Sequence, residues 1–259
     1  MSLSRKGCLE ASSASSTTQR GPEVHDDLSE ARHRGMGSGA VRAAIFGVSD
    51  GLITNISLIL GIAGAHPTGT VVRLAGFAGL VAGACSMAAG EYVSMRAQRE
   101  LIERDLEVER MEIERFPEAE HRELAGIYER RGMEPELSRT VATVMMSDRE
   151  VALWTHAREE LGISPGSLGS PWRAASASFA SFALGALIPL VSWLVASGWA
   201  AVVSSACLAA IAAIAIGVLV AKFTHRSLLR TALRQLGVSC LAAGVSFAIG
   251  TGVGMSGFA

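Results

Sequence analysis

Five apolar stretches, 43–65, 74–95, 174–197, 199–221 and 236–258, each have about the 20 residues that a helix needs to cross a hydrocarbon layer of roughly 30 Å. In lipid, every backbone N–H and C=O must be satisfied within the segment, so such stretches fold as helices. The chain is 49% hydrophobic and also 18% charged, so its apolar and polar material is segregated. This predicts an all-α integral membrane protein with five transmembrane helices.

The basic residues orient it. Residues 1–42 hold six Lys or Arg, 96–173 twelve and 222–235 four, leaving only Arg73 elsewhere. With alternating spans and a cytoplasmic N-terminus, all but Arg73 fall on the cytosolic side, as the positive-inside rule requires. The C-terminus, Ser256 to Ala259, then lies outside the cytosol. Residues 1–40, rich in Ser, Thr and Gly with no apolar face, read as a disordered cytoplasmic tail. The remaining parts are a first membrane portion, 41–95, a soluble insert, 96–173, and a second membrane portion, 174–259. Cys8, Cys85, Cys207 and Cys240 have neither disulfide nor zinc spacing. A net charge of −1 calls for no nucleic-acid partner.

Within the first span sits a carboxylate, Asp50. A charge at that depth costs roughly 2.5–3.5 kcal/mol, and chains that keep one commonly use it to bind or carry an ion. Thr54 and Ser57 follow at i+4 and i+7, forming a polar stripe. In the second span, Met87 and Glu91 lie one turn apart, with Ser94 close by, after a Gly79/Gly83 pair that permits close helix approach. Asp50 is eight residues from Arg42 and Met87 nine from Arg96, about 12–14 Å at helical rise, so on antiparallel helices they share a level. An oxygen ligand beside a polarizable sulfur suits Fe(II) better than magnesium or calcium. Met87 taken alone reads more readily as a core gap-filler, a reading that its level with Asp50 weakens, and Glu91 reads equally well as an interfacial partner of Arg96. Pro189 with Ser176, Ser178 and Ser181, and the fifth-span glycines Gly250, Gly252 and Gly254, read as packing or hinge positions.

The insert holds seventeen acidic and twelve basic residues. Phe116-Pro117, Gly132 with Pro135, and 162–171 divide it into three expected helices: 92–115, 118–131, and 136–161 with a break near Ser147-Asp148. Glu109 and Glu112 are i, i+3 neighbours, as are Glu120 and Glu123, so each pair can converge on one cation, with Glu160 closing the site. The same residues also fit a solvated surface, because Arg99/Glu103, Glu100/Arg104, Arg110/Glu114 and Glu118/Arg122 form i, i+4 pairs.

The run Ala43-Ala44-Ile45-Phe46-Gly47-Val48-Ser49-Asp50-Gly51-Leu52, followed by Gly83-Ala84-Cys85-Ser86-Met87-Ala88-Ala89-Gly90-Glu91-Tyr92, resembles the vacuolar iron transporter family. The likeness extends from about Arg42 to the end. It implies a dimeric, proton-coupled exporter of ferrous iron, in some members also of manganese, with a cytoplasmic three-helix metal-binding insert. Asp50 and Met87 then match the membrane metal site, and Glu109, Glu112, Glu120, Glu123 and Glu160 the carboxylates of the insert. Where plant members carry a Met-Met pair before the last carboxylate, this chain has His156 and Ala157. His156 thereby offers imidazole in place of a thioether, which leaves manganese or zinc open beside iron. Met145 and Met146 read as packing residues.

The expectation is a divalent-metal/proton antiporter rather than an enzyme: a homodimer in lipid without a prosthetic group, whose cargo is Fe2+ and possibly Mn2+ or Zn2+. The Ala/Arg/Gly-rich composition leans toward a bacterial cytoplasmic membrane. The rival reading is a membrane-anchored metal-binding or iron-oxidising protein that works through the Glu cage.

Overall fold

In the computed structural model, residues 39–164 and 169–255 are described, with side chains described from Ala44 onward. The expected disordered tail and the last four residues lie outside this range, apart from Gly39 and Ala40, which already belong to the first helix. Among the described residues eight helices follow in order: α1 (Gly39–Gly64), α2 (Gly69–Arg115), α3 (Pro117–Arg130), α4 (Pro135–Met146), α5 (Arg149–Glu159), α6 (Pro171–Val195), α7 (Gly198–Thr224) and α8 (Leu228–Met255). No strand occurs among the described residues.

Five of these, α1, α2, α6, α7 and α8, are long and apolar enough to cross a membrane, which makes this a membrane protein. α8 starts at Leu228 rather than near 236, because the 222–235 connector is mostly helical and only His225, Arg226 and Ser227 form the turn. His225 takes the left-handed conformation (φ 51°) that ends α7.

α2 has 47 residues, about 70 Å at 1.5 Å per residue, more than twice a hydrocarbon layer. Its apolar half ends near Met95. Its polar half carries straight on into the insert, as the sequence indicates. The expected third helix of the insert is two helices. Ser147 Oγ donates to the Val144 carbonyl (2.7 Å), and the Asp148 carboxylate accepts the Glu150 and Val151 amides (2.9 and 3.1 Å), so α4 is closed and α5 is capped within three residues. Pro117, Pro135 and Pro171 each open a helix where a missing N–H costs nothing.

α6 is the hub of the membrane portion, with half of its apolar window buried, against 11% for α8. Lipid supplies no hydrophobic drive between helices, so close approach through small residues does that work. A methyl on Gly51 would overlap the Phe182 carbonyl of α6, and one on Gly185 the Val48 carbonyl of α1. Gly250 seats α8 against Gly61 of α1 and Gly254 against Ala65 just past its end, while Gly252 faces open space. Gly79 and Gly83 of α2 accommodate Leu58 of α1 and the Phe182 ring of α6. Ser178, Ser181 and Pro189 are buried on α6, Ser176 is exposed, and Ser205 of α7 donates to the Pro189 carbonyl (2.8 Å).

Candidate metal centres

The insert places acid where apolar side chains are expected. On α2, Leu106, Glu109 and Ile113 share one face; on α3, Glu120, Leu124 and Ile127; on α5, Leu153, His156 and Ala157. These faces pack together. Leu106, Ile113, Ala152, Leu153, Ala157 and Ile163 form one apolar cluster, and Leu124, Ala125 and Ala142 another beside it. Met145 and Met146 pack against these clusters, as read from the sequence.

Glu109 (5% exposed), Glu120 (8%) and His156 (0%) are therefore enclosed. His156 Nδ1 lies 2.7 Å from Glu160 Oε1, 3.3 Å from Glu109 Oε1 and 3.6 Å from Glu120 Oε2. One ligand atom from each of the four falls within 4.8 Å of all the others. Ligands about 2.1 Å from a common ion sit about 3–4 Å apart, so small side-chain adjustments suffice to close on a cation. Three carboxylates and one imidazole suit Fe(II), Mn(II) or Zn(II). Burial, then repulsion from Glu160, pushes Glu109 from 4.5 up to about 7 against the attraction of His156, with Glu120 and Glu112 adding to the rise. Burial likewise raises Glu120, helped by Glu123, Glu160 and Glu112.

Glu112 and Glu123 are exposed and stand outside this set, on the rim of the site, where they act on Glu109 and Glu120 through space. The i, i+3 spacing alone treats both members of each pair alike. Position on the amphipathic face separates them. The surface ion pairs are partly redrawn: Arg99–Glu103 forms (2.7 Å), whereas Arg110 takes Glu107 (2.8 Å), Glu114 takes Arg149 (3.1 Å), and Arg122 donates to the Glu118 backbone carbonyl (3.1 Å).

In the membrane portion, Asp50, Met87, Glu91 and Ser94 line one groove of about 530 Å3, together with Phe46, Ser49 and Ile53. Asp50 is exposed along it, and Met87 and Glu91 are half-buried. Thr54 donates to Asp50 Oδ1 (3.4 Å), while the Ser57 hydroxyl is buried away from the groove without a partner. Arg96 pairs with Glu100 (2.7 Å). Two contacts were not legible beforehand. Gln235 of α8 donates to Ser49 Oγ (2.5 Å), and Asn55, fully buried, donates to the Ala186 carbonyl of α6 (2.6 Å). An amide inside an apolar stretch was the available signal for Asn55, whereas Gln235, in the basic connector, offered none.

The VIT family profile matches residues 41–251, which include both centres. The chain belongs to the VIT family, that of the vacuolar iron transporters. It is 31% identical over 213 residues to vacuolar iron transporter 1 of Arabidopsis thaliana, covering 81% of this chain and 84% of that protein. It is 33% identical over 248 residues to vacuolar iron transporter homolog 1 of Oryza sativa subsp. japonica, covering 91% and 88%. The vacuolar iron transporter of Acanthamoeba castellanii is 40% identical over 154 residues, covering 60% of this chain and 55% of that protein. These VIT relatives are eukaryotic and named for the vacuole, so they lend nothing to the expectation of a bacterial cytoplasmic membrane.

Proposed function

We propose that this VIT-family chain is a proton-coupled exporter of ferrous iron, with manganese as a second cargo, and that it works as a homodimer. The observation that carries the reading is the course of α2. One unbroken helix bears Met87 and Glu91 on the membrane groove and Glu109 in the buried cluster, about 33 Å further along.

In this mechanism the insert, with the N-terminus, faces the cytosol, as the basic residues indicate. Glu109, Glu120, His156 and Glu160 gather the cation; the exposed Glu112 and Glu123 enrich it at the mouth. Asp50 and Met87 take it within the membrane, with Glu91 and Ser94 along the way and Thr54 holding the Asp50 carboxylate. A proton arriving from the far side neutralises Asp50, and a neutral carboxyl loses most of its hold on a cation. An inward proton gradient then drives metal out. A protein that only anchors or oxidises iron leaves the Asp50 groove without a role.

The dimer is proposed because the groove is open along the side where Asp50 and Phe46 (63% exposed) emerge. A carboxylate facing lipid is costly, and a second copy across a two-fold axis covers it. In a background without native cysteines, a cysteine replacing Phe46 or Thr54 should cross-link between protomers, while one replacing Ile59, fully buried within the protomer, should not.

The transport reading is tested in proteoliposomes with Fe(II) outside and a pH-sensitive dye inside. Metal entry should be accompanied by proton movement in the opposite direction. Iron movement that leaves the internal pH unchanged would refute antiport.

A further inference from the structure

At the opposite end of the α1–α8 contact from the Gly250 seam, Arg226, Arg230 and Arg234 line a groove of about 580 Å3, with Thr224, Ser227 and Thr231. No carboxylate lines it, and the first turn of α8 contains none. All three arginines are exposed, and Lys222 adds a further cation in the last turn of α7. Such a concentration of guanidinium groups repels itself unless an anion sits among them.

Its depth says which anion is at hand. The apolar part of α8, from 236 to 255, is 20 residues, about 30 Å long, and fills the hydrocarbon by itself. The two preceding turns, with Arg230 and Arg234, then stand in the headgroup layer, with Arg226 just above them. Orientation in the membrane requires positive charge on this side but no particular arrangement of it. Here the arrangement is specific. The helices meet closely where Gly217 lies against Ala232, and the three side chains on either side of that contact line a single groove. Guanidinium presents a planar fork that matches phosphate oxygens.

We propose that this groove binds the phosphate headgroup of an anionic phospholipid. The bound lipid would hold the first turns of α8 at the membrane surface, where Arg234 directly precedes Gln235, whose hydrogen bond to Ser49 reaches the residue next to Asp50. Binding is measured without transport, so it stands or falls independently of the exporter reading.

The test uses the full chain in a mild nonionic detergent, titrated with dioctanoyl phosphatidylglycerol, dioctanoyl phosphatidylcholine or inorganic phosphate, with affinity read by calorimetry. Three surface arginines at about 1 kcal/mol each give an expected preference of about 100-fold for the anionic lipid over the zwitterionic one. The triple substitution Arg226→Gln, Arg230→Gln, Arg234→Gln should erase that preference. The same triple change made in Arg104, Arg130 and Arg139 of the insert should leave it intact. Because the Gln variant risks misinsertion, a triple Arg→Lys variant keeps the charge and should bind at least about threefold more weakly than wild type, having lost the fork. Equal binding of the two lipids, unchanged affinity in the Gln variant, or full affinity in the Lys variant would each overturn the proposal. So would inorganic phosphate binding as tightly as the anionic lipid, which would make the ligand a soluble phosphate instead.

Discussion

The two candidate metal centres differ in how much of each a single chain completes. In the insert, four ligand atoms from three segments are already within 4.8 Å of one another and His156 is fully buried. In the membrane, Asp50 and Met87 share a groove that lies open on one side. The closed site crowds three carboxylates around one imidazole, an arrangement whose mutual repulsion a bound cation would relieve. The open site leaves its carboxylate exposed along one side. In the proposed mechanism capture and passage ask for these opposite qualities, and a single α2 joins them.

The largest expected effect breaks the pair apart. Asp50→Asn keeps the shape of the side chain and removes the charge that holds the cation, so metal flux should fall by roughly 100-fold. Metal binding by the insert should be untouched in the same variant, as read by calorimetry on the full chain. Loss of both together would mean that the two centres are one cooperative unit.

Next comes the distinction inside the insert. At a hundredfold excess over its Kd, Mn(II) should raise the melting temperature by about 5–10 °C. The double substitution Glu109→Gln, Glu120→Gln should abolish that rise, whereas Glu112→Gln, Glu123→Gln should remove only a small part of it. Equal losses would return all four carboxylates to one class and contradict the burial pattern.

The pH dependence of the unloaded protein sharpens the same contrast. Glu109 titrates near 7 in the folded insert, against 4.5 ordinarily. The folded state therefore holds this proton more tightly than the unfolded state. The stability it contributes is complete below about 4.5 and is lost as pH rises through about 7. The metal-free protein should thus melt lower at about pH 8 than at about pH 5.5, and Mn(II) should stabilise it more at the higher value. A melting temperature without metal that rises over this interval would show that Glu109 is not the group holding the proton.

The smallest effect concerns Met87. Met87→Leu conserves volume, so packing survives while the sulfur is lost. Fe(II) flux should fall about fivefold, equivalent to about 1 kcal/mol, and Mn(II) flux less. Equal losses for both metals would assign Met87 to packing alone.

Length and hydropathy were enough for the five spans, because a segment crossing lipid must satisfy its own backbone and announces itself in about 20 consecutive residues. The helical continuity from Met95 into the insert was legible for the same local reason: no Gly or Pro interrupts 91–115. The Asp50–Met87 level followed from helical rise counted from flanking arginines. By itself, then, the sequence determined the helical class, the spans and which residue types can meet. Tertiary structure alone decided which of two Glu residues three apart turns inward, since that depends on which faces of α2, α3 and α5 pack together. It also decided that α8 begins two turns early and gathers three arginines on one groove, and that Gln235 reaches Ser49 across 186 positions of chain. Local rules act over a few residues, and these choices are made by partners that sequence distance hides.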